Sequence, residues 1–280
     1  MRVYIYITLG DVGLGQSSWG YSYFSYSSFR NALVASAADA NDTTTIADSV
    51  PIVDPYGNDS VGIVDPLQRA LGLSTTPCLA STGCYDGTIT ISNTAPLYFR
   101  TGEISSNQYD FFTVAEHETY EILGTASYCC GSSGTVFPTD YFRYHSDGTR
   151  SFAFGTNDPC SSSDSTNACF SIDGMHMLQQ YNNLNNDEDT GDWVYNCARP
   201  LVQDYAICSG TAGVDISPGA EILVLDVVGY TLVPLSPLEF YPVNPWRVVD
   251  TRSFGGITGA FGPPFITGGT ARDFPIPAGS

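Results

Sequence analysis

The sequence contains no lysine, and this absence narrows the partners that the protein can bind. All ten basic residues are arginines, spread singly between Arg2 and Arg272, against 29 acidic residues, and the formal net charge is −19. A protein that follows a phosphate backbone needs clustered positive charge. We therefore expect no nucleic-acid partner. Such acidity instead suits a soluble extracellular surface, with calcium sites built from Asp and Asn as the alternative reading.

Long apolar runs are also absent. No stretch of the sequence approaches the roughly 18 consecutive apolar residues of a transmembrane helix, so we predict no transmembrane segment. The first seven residues, MRVYIYI, lack the apolar core and the small-residue cleavage site of a signal peptide and are typical of a β-strand. If the protein is exported, we expect its signal to lie upstream of this chain.

The eight cysteines include no CxxC pair, which disfavours a structural zinc site. An even number of cysteines in a chain with few charges favours disulfides and an oxidising compartment. Proximity in sequence suggests three pairs, Cys78 with Cys84, Cys160 with Cys169 and Cys197 with Cys208, although many other connectivities are open. The cysteines therefore predict a secreted or extracellular protein.

Only 14% of the residues are charged, and Gly, Ser, Thr and Asn are abundant, which predicts a loop-rich α+β fold. We expect strands over residues 3–9, 88–92 and 97–99, strand-like pieces at 141–144, 151–154 and 169–172, and helices over 27–39 and 65–71. The pair Ser217-Pro218 is typical of a helix start. Beyond residue 231 the prolines exclude long helices, so we predict one domain over residues 1–235 and a Pro/Gly-rich segment over 236–280.

The clearest helix covers residues 109–123, which contain no Gly or Pro and precede Gly124. His117 and Glu121 are four residues apart, so their side chains share one face and can bind one metal ion. Glu118 lies about 100° around the helix and can reach a water on that ion. This is the spacing of the HExxH helix of zinc peptidases, with glutamate replacing the second histidine. The alternative is that Glu116, His117, Glu118 and Glu121 form an ordinary solvated helix face.

Several separated segments resemble a bacterial secreted zinc metalloprotease family whose signature reads AHEISEVLGR. The chain has AEHETYEILGT at residues 115–125, DYFRY at 140–144 for the family's DLFRYS, FSIDG at 170–174, GDW at 191–193 and LDVVGY at 225–230. The order of the segments agrees with the family, and the resemblance covers roughly residues 3–231. Glu116 and Thr125 depart from the family pattern, which has alanine and arginine there.

The resemblance implies a zincin-like fold, with a twisted sheet, an active-site helix and a loop-rich, disulfide-bearing C-terminal part. The third metal ligand is open, because the position that metzincins use is Ser127 here, a poor ligand. Asp140 matches an aspartate of the family and is our prediction, with His145 as the rival because imidazole is the commoner zinc ligand. Asp226 is a candidate for orienting a metal ligand through a hydrogen bond.

Residues 240–252, FYPVNPWRVVDTR, resemble the start of a β-rich module of bacterial surface proteins that reads FxPVxPCRVxDTR. Trp246 stands where that pattern has cysteine, and we expect the module to be truncated. It is a candidate for association with a cell surface.

We therefore expect a secreted peptidase that acts on proteins or peptides, with zinc on His117, Glu121 and Asp140 and with Glu118 as general base. A non-catalytic cell-surface or adhesion module that keeps the fold is the first alternative. A disulfide-stapled carbohydrate-binding domain is the second.

Overall fold

The computed structural model describes residues 2–57, 59–74, 84–127, 129, 135–162, 165–185, 189–213 and 219–231. The predicted boundary near residue 235, the segment 236–280 and the Ser217-Pro218 helix start all lie outside these residues. So does Cys78, and with it the predicted Cys78–Cys84 pair.

The described fold is mixed α+β, as the composition predicts. Its helices are α1 (Tyr26–Ser36), α2 (Ala40–Asp48), α3 (Asp65–Ala70), α4 (Phe111–Leu123) and α5 (Ala220–Val228). Its strands are β1 (Ile5–Gly10), β2 (Gly15–Trp19), β3 (Tyr21–Phe24), β4 (Val61–Val64), β5 (Gly87–Ser92), β6 (Leu97–Tyr98), β7 (Tyr109–Asp110), β8 (Arg143–Tyr144), β9 (Cys169–Phe170) and β10 (Gln179–Gln180).

The strands form small sheets rather than one large sheet. The sheet with the longest strands has the order β1-β5-β2, with β1 parallel and β2 antiparallel to β5. Strands β8, β9 and β10 form a short antiparallel sheet, and β3 with β4 and β6 with β7 form two-stranded ribbons. In this arrangement β2 is an edge strand among the described residues.

Of the three buried hydrophobic clusters among the described residues, two join the helices to the strands and loops. The larger one joins α1, β4 and α5 to the C-terminal loops through residues such as Phe29, Ile63, Phe170 and Val227, all completely buried. The smaller one packs α4 against the first sheet, through Ile89 and Ile91 of β5 and through Val114 and Ile122 of α4. Helix α4 is therefore fixed against β2 and β5, with its other side directed to the loops beyond residue 125.

Those loops contain little regular structure, and two disulfides lie within their described residues. The bonds Cys160–Cys169 and Cys197–Cys208 confirm two of the predicted pairs. Of the predicted strand-like pieces, 141–144 and 169–172 are confirmed in part, by β8 (Arg143–Tyr144) and β9 (Cys169–Phe170). The piece 151–154 forms no strand, and residues 141–142 belong to a short 3-10 helix, Pro138–Phe142. Proline at its first turn and a hydrogen bond from Phe137 N to Asp140 Oδ2 (2.7 Å) favour that tight turn.

The sequence pattern does not predict α2 or the strands β2, β3 and β4. Helix α2 begins with a capping box, in which Asp39 accepts from Asp42 N and Asp42 accepts from Asp39 N. The predicted helix 27–39 therefore ends early, because Asp39 caps the next helix. Within the described part of the chain, the helices are too short or too polar to cross a membrane.

Candidate metal centre

Helix α4 has well-defined ends, which fix where its polar face lies. At its start Asp110 accepts from Thr113 N (3.0 Å) and pairs with Arg100 (2.7 Å). Burial alone disfavours the Asp110 carboxylate, yet these contacts hold its pKa below the ordinary value. At its end Gly124 adopts a left-handed conformation with φ of 115°, as the sequence predicts. The pair His117 and Glu121 thus lies on one face in the second half of a rigid helix.

Three potential metal ligands converge on this face. His117 Nε2 lies 3.7 Å from Glu121 Oε1 and 3.6 Å from Asp192 Oδ2. One ligand atom from each of the three residues falls within 4.8 Å of the others. Four tetrahedral ligands placed about 2.0–2.2 Å from a zinc ion are roughly 3.3–3.6 Å from one another. The spacing of these atoms therefore fits a shared ion.

Each of these three side chains is oriented by a second contact. His117 Nδ1 donates to the Val202 carbonyl (3.0 Å), which leaves Nε2 as the nitrogen that faces the cluster. Gln203 Nε2 donates to Asp192 Oδ1 (2.6 Å), so the other oxygen, Oδ2, faces His117. Ser17 of β2 donates its hydroxyl to Glu121 Oε2. Such outer contacts are typical of metal sites in proteins.

Two of these orienting groups, Val202 and Gln203, are neighbours in the loop that the Cys197–Cys208 disulfide closes. The loop is also tied to the Asp192 segment, because Trp193 N donates to the Gln203 carbonyl (2.8 Å) and Tyr205 N donates to the Trp193 carbonyl (3.0 Å). Trp193 itself is 1% exposed in the main core. One disulfide-closed loop thus positions both His117 and Asp192.

The charges of the cluster shift the pKa values of its members. Burial disfavours protonated His117, but the carboxylates of Asp192, Glu121 and Glu118 outweigh it and raise its pKa well above the ordinary value. Burial, followed by the charge of Glu121, raises the pKa of Glu118 to about 8. Burial also disfavours the Glu121 carboxylate, yet its contacts with His117 and Ser17 hold its pKa below the ordinary value. This excess of negative charge is what a cation would compensate.

The cluster lies in a cleft of about 910 Å³. Strand β2 forms one side of it, through Gly15, Gln16 and Ser17, and the loops after α4 form the other. Glu118 lines the cleft beside the cluster and is only 7% exposed. A side chain at Gly15 would meet Glu118 Oε1 at 2.5 Å and Val114 Cγ1 at 2.6 Å, so glycine is needed for β2 to pack this close to α4.

The structure brings together His117, Glu118 and Glu121, but it places the other predicted site residues elsewhere. Asp140 does not belong to the cluster, since it is completely buried and accepts from Ser127 Oγ and from Phe137 N. His145 Nδ1 donates to the Asn167 carbonyl (2.5 Å). Neither supplies the third ligand atom of this cluster; Asp192 does.

Asp226, the predicted orienting residue, accepts a hydrogen bond from Asn41 Nδ2 of α2 (3.2 Å). The orienting contacts that we find on the ligands come instead from Ser17, Val202 and Gln203.

Asp192 was not among the predicted ligands, although it lies in a segment that carries the family resemblance. It is the central residue of the Gly-Asp-Trp segment at 191–193. Asp192 is 71 residues beyond Glu121 in sequence, and no helical or strand periodicity links the two. Only the fold shows that this aspartate, rather than Asp140, approaches His117.

Comparisons with protein-family models, with curated proteins and with solved structures find no match for this chain. Function is therefore inferred from the geometry and chemistry of the cluster and its cleft.

Proposed function

We propose that the protein is a secreted, zinc-dependent peptidase with a zincin-like fold, in which His117, Glu121 and Asp192 hold the metal. The observation that carries this proposal is the convergence of their three ligand atoms in one cleft. One imidazole and two carboxylates form a ligand set that suits zinc, whereas calcium needs six to eight oxygen ligands. Zinc is therefore a better match to this cluster than calcium.

A zinc ion in this cluster would lower the pKa of a bound water to about 7 and polarise a carbonyl group. Glu118 is the group that accepts a proton, because it follows His117 on α4 and faces the same cleft. Its pKa, raised to about 8 by burial and by Glu121, is matched to proton transfer near neutral pH. A cation in the cluster would shift that pKa downward and favour the basic form.

Strand β2 supports a peptide as the substrate. It pairs with β5 on one side and borders the cleft, and it is an edge strand within the described residues. The backbone groups of such an edge can pair with an extended peptide. A peptide bound in this way runs past Glu118 and the cluster, since Gly15 of β2 packs directly against Glu118.

The disulfides support an oxidising compartment. The bonds Cys160–Cys169 and Cys197–Cys208 are typical of exported proteins and rare in the cytosol. Secretion is therefore part of the proposal, in line with the expectation from the cysteine count.

The proposal is tested by metal analysis and peptide hydrolysis on the wild type and two variants. We expect about one zinc per chain and chelator-sensitive hydrolysis of a mixed peptide library. Glu118→Gln should keep the zinc and lose about 10²–10⁴-fold in hydrolysis. Glu116→Gln is the matched control, because Glu116 is on the same helix but does not line the cleft, and it should keep both properties.

Wild-type protein that binds no zinc after refolding with the metal and hydrolyses no peptide would contradict the peptidase and favour the non-catalytic surface module. If the wild type binds zinc but hydrolyses no peptide, the proposed metal site stands and the proposed peptidase activity is wrong.

A further inference from the structure

The cleft wall beside the cluster contains a carboxylate that the metal ligands do not use. Asp204 lines the cleft and is 3% exposed. Its Oδ2 accepts from Leu201 N (3.1 Å) and from Asn196 N (3.3 Å). Its Oδ1 is buried and has no hydrogen-bond partner in the described structure. A buried carboxylate oxygen without a partner is strongly unfavourable, and each such case in a folded protein calls for an explanation.

Asp204 is held close to the cluster by its own loop. It follows Val202, whose carbonyl accepts from His117, and Gln203, whose amide donates to Asp192. Two backbone amides bind Oδ2 and hold the carboxylate in the cleft wall, where Oδ1 is left without a hydrogen bond. A group bound to Oδ1 would therefore lie near the reacting part of a substrate.

The charges of the cleft indicate what kind of group would bind Asp204 Oδ1. A divalent cation would balance the carboxylates of Glu121 and Asp192, but Glu118, Asp189 and Asp204 also line the cleft. Among the described lining residues, His117 is the only basic side chain. Asp189 Oδ1 already accepts from Ser127 N (3.0 Å) and Gly191 N (2.5 Å). Among the described residues that line the cleft, Asp204 is the carboxylate with a buried oxygen that has no hydrogen-bond partner, and a cation would pair with it.

We propose that Asp204 binds a positively charged nitrogen of the substrate, so that the cleft selects cationic peptides. This inference rests on the proposed peptidase function and names its substrate class. The nitrogen belongs to a Lys or Arg side chain near the scissile bond or to the α-amino group at the peptide N-terminus. Both sources offer the same N⁺–H donors to a carboxylate, and the experiment distinguishes them.

The test measures binding separately from hydrolysis, using full-length, zinc-loaded Glu118→Gln protein. Calorimetry compares a lysine-containing peptide with the same peptide carrying norleucine, and each peptide is used with a free and with an acetylated N-terminus. We expect the cationic peptide to bind about 10- to 100-fold more tightly than its neutral counterpart. Sensitivity to norleucine assigns the side chain, and sensitivity to acetylation assigns the α-amino group.

The second arm adds Asp204→Asn, with Asp158→Asn as the matched control. Asp158 is exposed and does not line the cleft, so both variants lose one negative charge but only the first changes the wall. The charge preference should disappear in Asp204→Asn and persist in Asp158→Asn, while both variants keep their zinc.

Equal binding of charged and neutral peptides by Glu118→Gln protein with Asp204 intact would overturn the inference. An equal loss of charge preference in Asp204→Asn and Asp158→Asn would also overturn it. The comparison of peptides needs no Asp204 variant, so it decides the matter even if Asp204→Asn folds poorly. Hydrolysis without charge preference would reject this inference alone. A charge preference in binding without wild-type hydrolysis would reject the peptidase alone.

Discussion

Replacing Asp192 by asparagine is the most direct test of the metal centre. The substitution keeps the shape of the side chain and removes one of three ligands and one negative charge. In the structure Asp192 Oδ2 is 3.6 Å from His117 Nε2, and the side chains are only 5% and 12% exposed. At that distance and an effective dielectric constant of about 20, two unit charges interact by about 4–5 kcal/mol.

This energy belongs to protonated His117 beside Asp192 in the metal-free cluster. His117 must lose that proton to bind zinc, so the energy does not measure the zinc affinity that Asp192→Asn loses. Loss of an outer contact to a ligand typically weakens metal binding about 10- to 100-fold. Loss of the ligand itself should exceed that range, so we expect zinc to bind at least about 100-fold more weakly to Asp192→Asn. Competition with a chromophoric chelator measures this affinity directly.

Asp140→Asn is the matched control, because it is the same substitution at the aspartate that the sequence favoured. Asp140 accepts two hydrogen bonds away from the cluster. Its replacement should leave zinc affinity within about threefold and lower the free energy of unfolding by about 1–3 kcal/mol. The opposite pattern, with zinc lost in Asp140→Asn and kept in Asp192→Asn, would refute the assignment of the third ligand.

Three further predictions concern groups that surround the cluster and its cleft. Gln203→Leu should weaken zinc binding about 10- to 100-fold, since it removes the donor to Asp192 Oδ1; an unchanged affinity in the chelator competition would show that this donor is dispensable. Gly15→Ala should lower the free energy of unfolding by about 1–3 kcal/mol, because its methyl group would meet Glu118 and Val114. Gly13→Ala is its control in urea denaturation, with nothing within 4 Å of the added carbon. Removing the 197–208 disulfide by paired serine substitutions should cost about 2–4 kcal/mol and also weaken zinc binding, whereas removing the 160–169 disulfide should cost similar stability and leave zinc affinity unchanged. Equal zinc affinities in the two disulfide variants would show that the 197–208 loop does not position His117 and Asp192.

The parts of the site that sequence predicted correctly are local. Helix α4 was expected over residues 109–123 and runs over Phe111–Leu123, with Gly124 as its left-handed cap. The spacing of His117 and Glu121 then follows from helical geometry alone. Two disulfide pairs were also predicted, because each closes a short loop.

The parts that sequence missed depend on contacts between distant segments. Helix α2 is polar and rich in threonine, so its helical pattern is weak, and a capping box defines its start. Strand β2 is short and contains Gly15, Ser17 and Ser18, residues that do not favour strands by themselves. It is a strand because it pairs with β5 and packs on α4.

The amino-acid sequence by itself determined the helix that carries His117, Glu118 and Glu121, the loop-rich α+β character and the disulfide-bearing composition, because these follow from periodicity, capping and residue type over short distances. Only the tertiary structure decided that Asp192 completes the cluster, that Val202 and Gln203 orient it and that Asp204 faces the same cleft. Asp192 is far from His117 and Glu121 in the sequence. Its approach to them depends on how buried residues such as Trp193 pack in the core. No local sequence pattern predicts the short distance between Asp192 and His117.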